Sequence, residues 1–376
     1  MLRAVLSGRL PLQKLTSSDV YRVMDLCLAC KGCKGECPTN VDMAKLKYEF
    51  LYQYHKKHRL PLRDRLFGHI ETVSRLGCAT APVSNMVLAA SPVRWGMEKV
   101  LGIDRRRRLP RFASEPFTRW FARHLPAPDA GRRGRVVLFH DTFMTYNYPE
   151  VGVAAVRLLE AAGYEVHLVE KRCCGRPFLS KGMLAHARRC AQHNLGALLP
   201  WVEQGVPVVG CEPSCILTFR DEYPDLLSDD AVGKLAENSF LFEEFFARDE
   251  NGAGLAFRKT EHKLLLHGHC HMKALAGLEP TLRLLSRLPG AEVQALDSGC
   301  CGMAGAFGFE KEHYELSLKI GRGRLFPAID EKDTTWRVVA PGVSCRQQIE
   351  HATGRRAWHP VEVLAEALVV NGQNQG

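Results

Sequence analysis

Two segments of this chain carry the same order of apolar runs, glycines and cysteines, and this duplication constrains the fold more than any other feature. Gly163 and the run Cys173-Cys174-Gly175 recur as Gly290 and Cys300-Cys301-Gly302, both at an offset of 127 residues. Flanking blocks match in the same order, 136–140 with 264–268 and 208–215 with 338–345. Chance explains three ordered matches poorly, so the chain contains two related units.

Each unit reads as strand, helix, strand, helix, strand, helix. The runs at 136–140, 165–169 and 206–210 are short and apolar, as buried parallel strands are. The first helix of unit one is predicted to begin near Pro149 and to end at Gly163. We therefore predict an α/β fold with two repeated parallel-sheet units, unit one over 136–260 and unit two over 261–376.

The cysteines of unit two follow its predicted strands. Cys270 follows the first strand, the pair Cys300-Cys301 follows the second, and Cys345 follows the third. Because ligands bind beyond the carboxyl ends of parallel strands, these four side chains are expected to meet at one edge of the sheet. Four converging thiolates indicate a metal cluster rather than a nucleophile.

Unit one repeats this pattern with Thr142 in the place of Cys270. Its candidate ligands are Cys173, Cys174, Cys211 and Cys215. Three states of this site stay open on the sequence: a cluster completed in spite of the substitution, a zinc ion, or no metal.

Other cysteines and histidines have structural explanations. Cys190, within a predicted helix over 185–198, and Cys78 are expected to be buried small hydrophobes. His267, His269 and His271 flank Cys270, but successive side chains of an extended segment alternate in direction. Each is therefore expected to support a ligand or lie in the loop rather than bind metal.

A second cysteine pattern, hereafter the cysteine run, lies near the N-terminus. Its spacing C-x2-C-x2-C-x3-C-P is that of bacterial [4Fe–4S] ferredoxins. Lys31 and Lys34 are expected to offset the negative charge of a thiolate-bound cluster. Zinc is the competing ligand, but zinc motifs usually pair distant C-x2-C units or add histidines. The run consists of Cys27, Cys30, Cys33 and Cys37.

The fourth ligand of this N-terminal site stays open. In two-cluster ferredoxins the last cysteine of such a run binds the other cluster, and this sequence contains a single run. Cys37 folding back, Cys78, or a partner segment would each complete the site.

The positive charge lies in the first third of the chain. Residues 1–135 hold 26 Lys and Arg against 11 Asp and Glu, so the formal net charge of +10 belongs entirely to them. Such a surface attracts an acidic protein or an anionic membrane. Nucleic acid is not expected as a partner, because no aromatic residues interleave the basic runs. We predict a helical ferredoxin-type domain over 1–125 and a linker over 126–135.

Length, composition and segment pattern point to a cytoplasmic protein. The longest uncharged window, 76–93, contains prolines and polar residues and is predicted to form a buried helix pair rather than a membrane span. The N-terminus lacks the apolar core of a signal peptide. We therefore expect the 14 cysteines to hold metal rather than form disulfides. The sequence leaves open whether the protein also binds peripherally to the inner face of the membrane.

These motifs together resemble a family of iron–sulfur proteins. The paired Cys-Cys-Gly units are similar to the cysteine-rich CCG domains of heterodisulfide reductase, where they lie in its B subunit, and of the iron–sulfur subunits of glycolate oxidase and anaerobic glycerol-3-phosphate dehydrogenase. The cysteine run, the block 212–215 and the block 298–305 resemble most closely the iron–sulfur region of FAD-linked oxidases of the D-lactate or D-2-hydroxyglutarate dehydrogenase type.

The resemblance implies an electron-transfer module with two [4Fe–4S] clusters, and a third if unit one is occupied. FAD is then expected only on a partner or missing domain, a dehydrogenase of small 2-hydroxy acids, and electrons would leave to a quinone or another carrier. The heterodisulfide reductase pattern ends each unit in C-x2-C, whereas this sequence has Glu212 and Gly342 at the earlier position, which argues against a five-thiolate cluster. The alternatives are a catalytic disulfide or heterodisulfide reductase and a structural zinc protein.

Overall fold

A computed structural model describes residues 4–5, 7–248 and 255–369 of the chain. The first residues and the end of the predicted unit two, 370–376, lie outside the described residues. The described part contains two four-stranded sheets, in which every strand pair is parallel. The predicted α/β class with two parallel-sheet units is confirmed.

The sheet of unit one consists of β1 (Gly134–Leu138), β2 (Tyr164–His167), β3 (Val208–Gly210) and β4 (Ser239–Leu241), in the order β2-β1-β3-β4. β1 begins inside the predicted linker. Its helices are Thr142–Tyr146, Pro149–Ala161, Arg176–Ser180, Leu184–Val202, Pro213–Asp221, Tyr223–Leu226, Ala231–Glu237 and Phe242–Arg248.

The sheet of unit two repeats the same strand order. Its strands are β5 (Lys263–Leu266), β6 (Glu292–Ala295), β7 (Trp336–Val339) and β8 (Ala357–Trp358), in the order β6-β5-β7-β8. Its helices are Cys270–Leu275, Glu279–Leu285, the 3₁₀ turn Phe307–Phe309, Tyr314–Arg322, Leu325–Asp330, Val343–Thr353 and Pro360–Ala367.

Local sequence signals account for the predicted helix at Pro149. Proline occupies the first turn, where a backbone N–H has no partner in the helix, and Gly163 follows the last turn with a φ of +90°. The helix runs over Pro149–Ala161, and the helix predicted over 185–198 is observed as Leu184–Val202. Both predictions are confirmed.

The two units share one apolar core. The helix Pro149–Ala161 of unit one packs against Pro360–Ala367 of unit two, and Phe242–Arg248 packs against Glu279–Leu285. Leu158 of the first unit and Leu264 and Leu364 of the second are fully buried in the same cluster of side chains. The carboxyl edges of the two sheets are thereby fixed relative to each other.

The residues before unit one are helical. Their helices are the 3₁₀ turn Leu12–Thr16, then Ser18–Asp25, Gly32–Glu36, Met43–Lys57, Leu62–Gly68, Ile70–Ala79, Val83–Ala89, Ser91–Leu101 and Phe117–Phe121. Cys78 and Cys190 are buried, as predicted. The domain boundaries stated above stay predictions.

The prediction of a buried helix pair over 76–93 is wrong. The helices form, and they are short because Pro82 and Pro92 each lie at the start of a new helix. They expose much of their apolar surface to solvent. We call this surface the apolar face: Leu76, Val83, Met86, Val87, Trp95 and Val100, each between 47% and 76% exposed.

Candidate metal centres

The four cysteines of unit two meet at the carboxyl edge of its sheet. Cys270 begins the helix after β5, Cys301 lies in the loop after β6, and Cys345 lies in the first turn of the helix after β7. The sulfurs of Cys301 and Cys345 lie within 4.8 Å of each other, and along the series Cys270, Cys300, Cys301 and Cys345 each thiol shifts the pKa of the next. The sequence-predicted ligands are therefore neighbours in space.

These sulfurs fit a metal centre. All 14 cysteines are free thiols. The hydrogen bond with Cys300, burial and the charge of Cys300 raise the pKa of Cys270 well above its ordinary value. A buried group of thiols of this kind cannot ionise together without a cation, and a bound metal supplies that charge and displaces their protons. Cysteines 270, 300, 301 and 345 would hold it.

Glycine is required after each cysteine pair. Gly302 has a φ of +89°, and a Cβ at this position would lie 2.1 Å from the carbonyl oxygen of Ser317. Gly175 has a φ of +93° in unit one. The left-handed turn brings the backbone close to the next helix and aims both preceding sulfurs at the sheet edge.

His267 is a residue that our sequence prediction did not include among the metal ligands. One of its ring nitrogens and the sulfurs of Cys301 and Cys345 lie within 4.8 Å of one another. Burial lowers the pKa of His267 to about 3, so the ring is neutral, and its Nδ1 lies 2.7 Å from the hydroxyl of Ser298. A neutral imidazole at this distance is able to bind metal or to position a thiolate.

The other two histidines have different contacts. Nδ1 of His269 accepts the backbone N–H of His271 at 3.2 Å and caps the helix that begins at Cys270. Nε2 of His271 lies 2.9 Å from the carbonyl oxygen of Ala29 in the cysteine run. The rings of His267, His269 and His271 therefore contact three different parts of the structure: the cysteines of unit two, the start of the next helix and the cysteine run.

Unit one brings three of its cysteines together. The sulfurs of Cys174 and Cys215 are 3.1 Å apart, and the thiol of Cys174 raises the pKa of the adjacent Cys173. Thr142 begins the helix after β1, as Cys270 does after β5, and its buried hydroxyl has no hydrogen-bond partner among the described residues. The equivalent of the fourth sulfur is therefore an unsatisfied hydroxyl group.

Cys211 lies in a different environment. Burial raises the pKa of its thiol well above the ordinary value, and the nearby carboxylates of Glu243 and Asp141 raise it further. Its carbonyl oxygen lies 3.1 Å from Nε2 of His359 in unit two. No contact described in the structure joins its sulfur to the three other candidate ligands of unit one.

The cysteine run forms a tight loop whose helix Gly32–Glu36 packs against the helix Cys270–Leu275 of unit two. Ala29 and Lys31 have φ values of 51° and 62°, so the loop turns sharply on both sides of Cys30. The Cys27 sulfur accepts the N–H of Ala29 at 3.4 Å, and the Cys33 sulfur accepts the N–H of Met43 at the same distance. These backbone donors stabilise negative charge on the two sulfurs.

Cys30 connects the run to unit two. Its pKa is raised by burial and by the charges of Cys270, Cys27 and Cys33. The neighbouring Ala29 contacts His271, which follows Cys270 in the chain. Cys37 instead turns toward Thr39, with 3.1 Å between sulfur and hydroxyl oxygen. The backbone N–H of Cys37 donates to the carbonyl oxygen of Cys33 at 2.9 Å, and no described contact joins Cys78 to the run. The identity of the fourth ligand stays a prediction.

The prediction for Lys31 and Lys34 is wrong. Both lysines pair with Asp221 of unit one, and Lys31, which is fully buried, also pairs with Asp42 at 3.2 Å and with Glu222 at 2.7 Å. Their charge is neutralised by these carboxylates and is not available to a cluster. The pairs hold the cysteine run against unit one instead.

Comparison with known proteins agrees with this arrangement. The model of the cysteine-rich domain, CCG, matches residues 137–220 and 264–350. The C subunit of anaerobic glycerol-3-phosphate dehydrogenase from Escherichia coli K12 is 34% identical over 82% of this chain and 78% of its own length. This chain belongs to the same family.

Other relatives in this comparison are longer or shorter proteins. D-2-hydroxyglutarate dehydrogenase of Escherichia coli K12 is 29% identical over 94% of this chain, and the match spans 35% of that protein. Lactate utilization protein A of an Exiguobacterium species is 28% identical over 63% of this chain and 96% of its own length. The predicted resemblance to the iron–sulfur region of FAD-linked oxidases is confirmed.

The two departures from the C-x2-C pattern have structural reasons in this family member. A Cβ at Gly342 would lie 2.3 Å from Cδ2 of His269, so no fifth sulfur fits there. Glu212 caps the helix Pro213–Asp221, and its second carboxylate oxygen accepts the N–H of Val343 in unit two at 2.8 Å. The carboxylate thus ties the two sites together.

No helix among the described residues is both long enough and apolar enough to cross a membrane.

Proposed function

We propose that this chain is the iron–sulfur electron-transfer subunit of a flavin-dependent dehydrogenase complex. The observation that carries the proposal is the convergence of Cys270, Cys300, Cys301 and Cys345 beside the loop that contains Cys30. The two groups of thiols are joined by the contact between His271, next to Cys270, and Ala29, next to Cys30. Neighbouring sites of this kind suit a path for electrons better than two unconnected structural sites.

The cluster type follows from the ligand pattern. The run spacing and four sulfurs in unit two suit two [4Fe–4S] clusters, and the three sulfurs of unit one suit a third centre with an incomplete ligand set. When bound, such a cluster supplies reversible one-electron storage. The chain's own residues bury Cys301 and Cys345, supply backbone donors to Cys27 and Cys33 and fix the spacing of the sites.

Electrons would enter from the FAD of a partner dehydrogenase. Oxidation of a small 2-hydroxy acid to the 2-oxo acid releases two electrons and two protons, and a quinone accepting both balances the reaction. The 2-hydroxy acid is supported by the D-2-hydroxyglutarate dehydrogenases among the relatives, and glycerol 3-phosphate is the alternative substrate supported by the glycerol-3-phosphate dehydrogenase relative.

The apolar face is proposed as the docking surface for this flavoprotein. It lies in the basic third of the chain, where exposed Lys99 and Arg105 flank Trp95 and Val100. An apolar centre with a charged rim is typical of protein interfaces. We propose a cytoplasmic location, and binding of this face to anionic lipid vesicles in place of a flavoprotein would redirect the proposal to the membrane surface.

The first experiment is a count of clusters. Protein purified without oxygen is expected to contain iron and sulfide, to absorb near 400 nm and to bleach with dithionite. Cys300→Ser and Cys345→Ser are each expected to lose about one cluster's iron, whereas Cys190→Ser, a buried cysteine outside the sites, keeps it. A colourless protein loaded with zinc would overturn the proposal.

Geometry favours electron transfer over catalytic disulfide reduction. The reductase alternative requires five thiolates or an iron that is open to substrate. The ring of His269 lies 2.3 Å from where the Cβ of a cysteine at residue 342 would be, so such a cysteine would displace this ring. Intrinsic disulfide reduction by the isolated chain, without any flavoprotein, would reverse this order.

A further inference from the structure

Arg107 is a buried cation in the segment that connects the N-terminal helices to unit one. It is 2% exposed, although Arg105, Arg106 and Arg108 beside it are exposed. The segment is held against unit two by its backbone, since the N–H of Asp104 donates to the carbonyl oxygen of Phe309 at 2.8 Å. One guanidinium group of the densest basic run, that of Arg107, is therefore buried, whereas its three neighbours are exposed.

Every described hydrogen bond of that guanidinium group goes to a neutral acceptor of unit two. Nε donates to the carbonyl oxygen of Gly308 at 2.7 Å, Nη1 to Oε1 of Gln348 at 2.6 Å, and Nη2 to the hydroxyl of Ser317 at 2.9 Å. The hydrogen bonds satisfy these donors without placing a carboxylate in contact with the guanidinium group.

No carboxylate of the described residues forms an ion pair with Arg107. The nearest candidate, Asp104, is bonded to Arg106, which also pairs with Glu315 at 2.6 Å. Burying an unpaired charge costs several kcal/mol, and Arg107 would be expected to have a negative partner. Asp104 acts on Arg107 only from a distance and is already bonded to Arg106. The ring of Tyr314, with its centroid 4.9 Å from the guanidinium carbon, carries no formal charge.

The acceptors of Arg107 lead directly to the cysteine pair of unit two. Nε2 of Gln348 donates to the carbonyl oxygen of Cys301 at 2.9 Å and to that of Ser317 at 3.1 Å. The backbone of Gly308 bonds to Met303, two residues after Cys301. After the effects of Tyr314 and Asp104, a negative charge on Cys301 also favours the charged form of Arg107.

We propose that Arg107 is the counter-charge of the thiolate centre of unit two and that it raises the reduction potential of that centre. Reduction adds a negative charge to the centre, and a fixed cation in a buried region stabilises the more negative state. This inference rests on the proposed function, because it requires a redox-active metal at Cys301.

The test is a potentiometric titration followed by EPR on the full chain. The unit-two signal is identified as the one that Cys301→Ser removes. Arg107→Gln is expected to shift its midpoint potential to a more negative value, and Arg107→Lys, which keeps the charge, is expected to shift it less. The matched control is Arg108→Gln, the exposed neighbour, which is expected to leave the potential unchanged.

Because Arg107 is buried, the difference in midpoint potential between Arg107→Gln and the unchanged protein is expected to persist at high ionic strength.

A second pair of variants separates charge from contact. Gln348→Glu places a carboxylate on Arg107 and is expected to lower the potential, whereas Gln348→Leu removes the same hydrogen bonds without adding charge and is expected to shift it less. This pair also serves if Arg107→Gln does not fold. Equal shifts of the midpoint potential in the two Gln348 variants would disprove the proposal that Arg107 acts as a counter-charge. Equal midpoint potentials in Arg107→Gln and Arg108→Gln would disprove it as well. Unchanged iron in Cys301→Ser would instead disprove the unit-two centre itself.

Discussion

His313 shows how a single residue fastens the cysteine run to unit two. Its Nδ1 lies 2.7 Å from Glu310, and its Nε2 lies 3.1 Å from Asp25, two residues before Cys27. Burial lowers the pKa of His313, but the hydrogen bonds to these two carboxylates outweigh it and raise the pKa to about 9. The imidazolium is therefore the charged link between the two elements at neutral pH.

We predict that His313→Gln destabilises the fold in a pH-dependent manner. Since the folded pKa is above the unfolded value of 6.5, the stabilisation is complete below pH 6.5 and is lost as the pH rises to about 9. The difference in unfolding free energy is expected to reach about 3 kcal/mol at pH 6. Thermal unfolding between pH 6 and 9.5 measures it. His193→Gln, in a partly exposed helix position, serves as the control, and a difference that does not change with pH would contradict the prediction.

Thr142 is the residue at which unit one departs from unit two. We predict that Thr142→Cys raises the iron bound per chain, because a fourth thiol would stand where the unsatisfied hydroxyl stands now. Thr142→Val, of the same size, is expected to leave the iron content unchanged and to fold at least as stably, since it removes a buried polar group without a partner. Equal iron content in both variants would mean that residue 142 does not face the site.

The misjudged residues share one physical cause. Spacing predicted the meeting of the four unit-two cysteines, because the order of strands and helices fixes where each strand ends. The spacing of the cysteines could not predict that Lys31 forms an ion pair with Asp221, 190 residues away. Nor could it predict that a ring nitrogen of His267 lies within 4.8 Å of the sulfurs of Cys301 and Cys345. Such contacts depend on how one element docks on another, which no local pattern encodes.

At the scale of the element, the loop after each cysteine pair depends on its glycine. We predict that Gly302→Ala destabilises the protein by about 2 kcal/mol or more, because the residue has a φ of +89° and a Cβ would meet the carbonyl oxygen of Ser317. Gly299→Ala, three residues earlier and with open space around its Cβ, is expected to change stability by less than about 1 kcal/mol. Urea unfolding of both variants checks this, and equal stability would contradict it.

Helices whose sequence marks both ends, with proline in the first turn and glycine after the last, were the most predictable elements. The helix Pro149–Ala161 has both signals, and its apolar residues are buried between the two units. The helices within 76–93 are also apolar, yet they lie on the surface. Hydrophobicity identifies a face that needs a partner, but it does not say whether that partner belongs to the same chain.

At the scale of the whole molecule, the separation of charge between the basic first third and unit one, which is net negative, is expected to steer a partner. We predict that the association rate with an acidic flavoprotein dehydrogenase falls at least about tenfold between low salt and 0.5 M salt. Lys99→Glu, beside the apolar face, is expected to slow association, whereas Lys319→Glu makes the same charge change on the exposed surface of unit two and is expected to have little effect. Surface plasmon resonance at several ionic strengths measures both. Equal slowing by the two variants would mean that net charge, and not the position of the basic surface, governs docking.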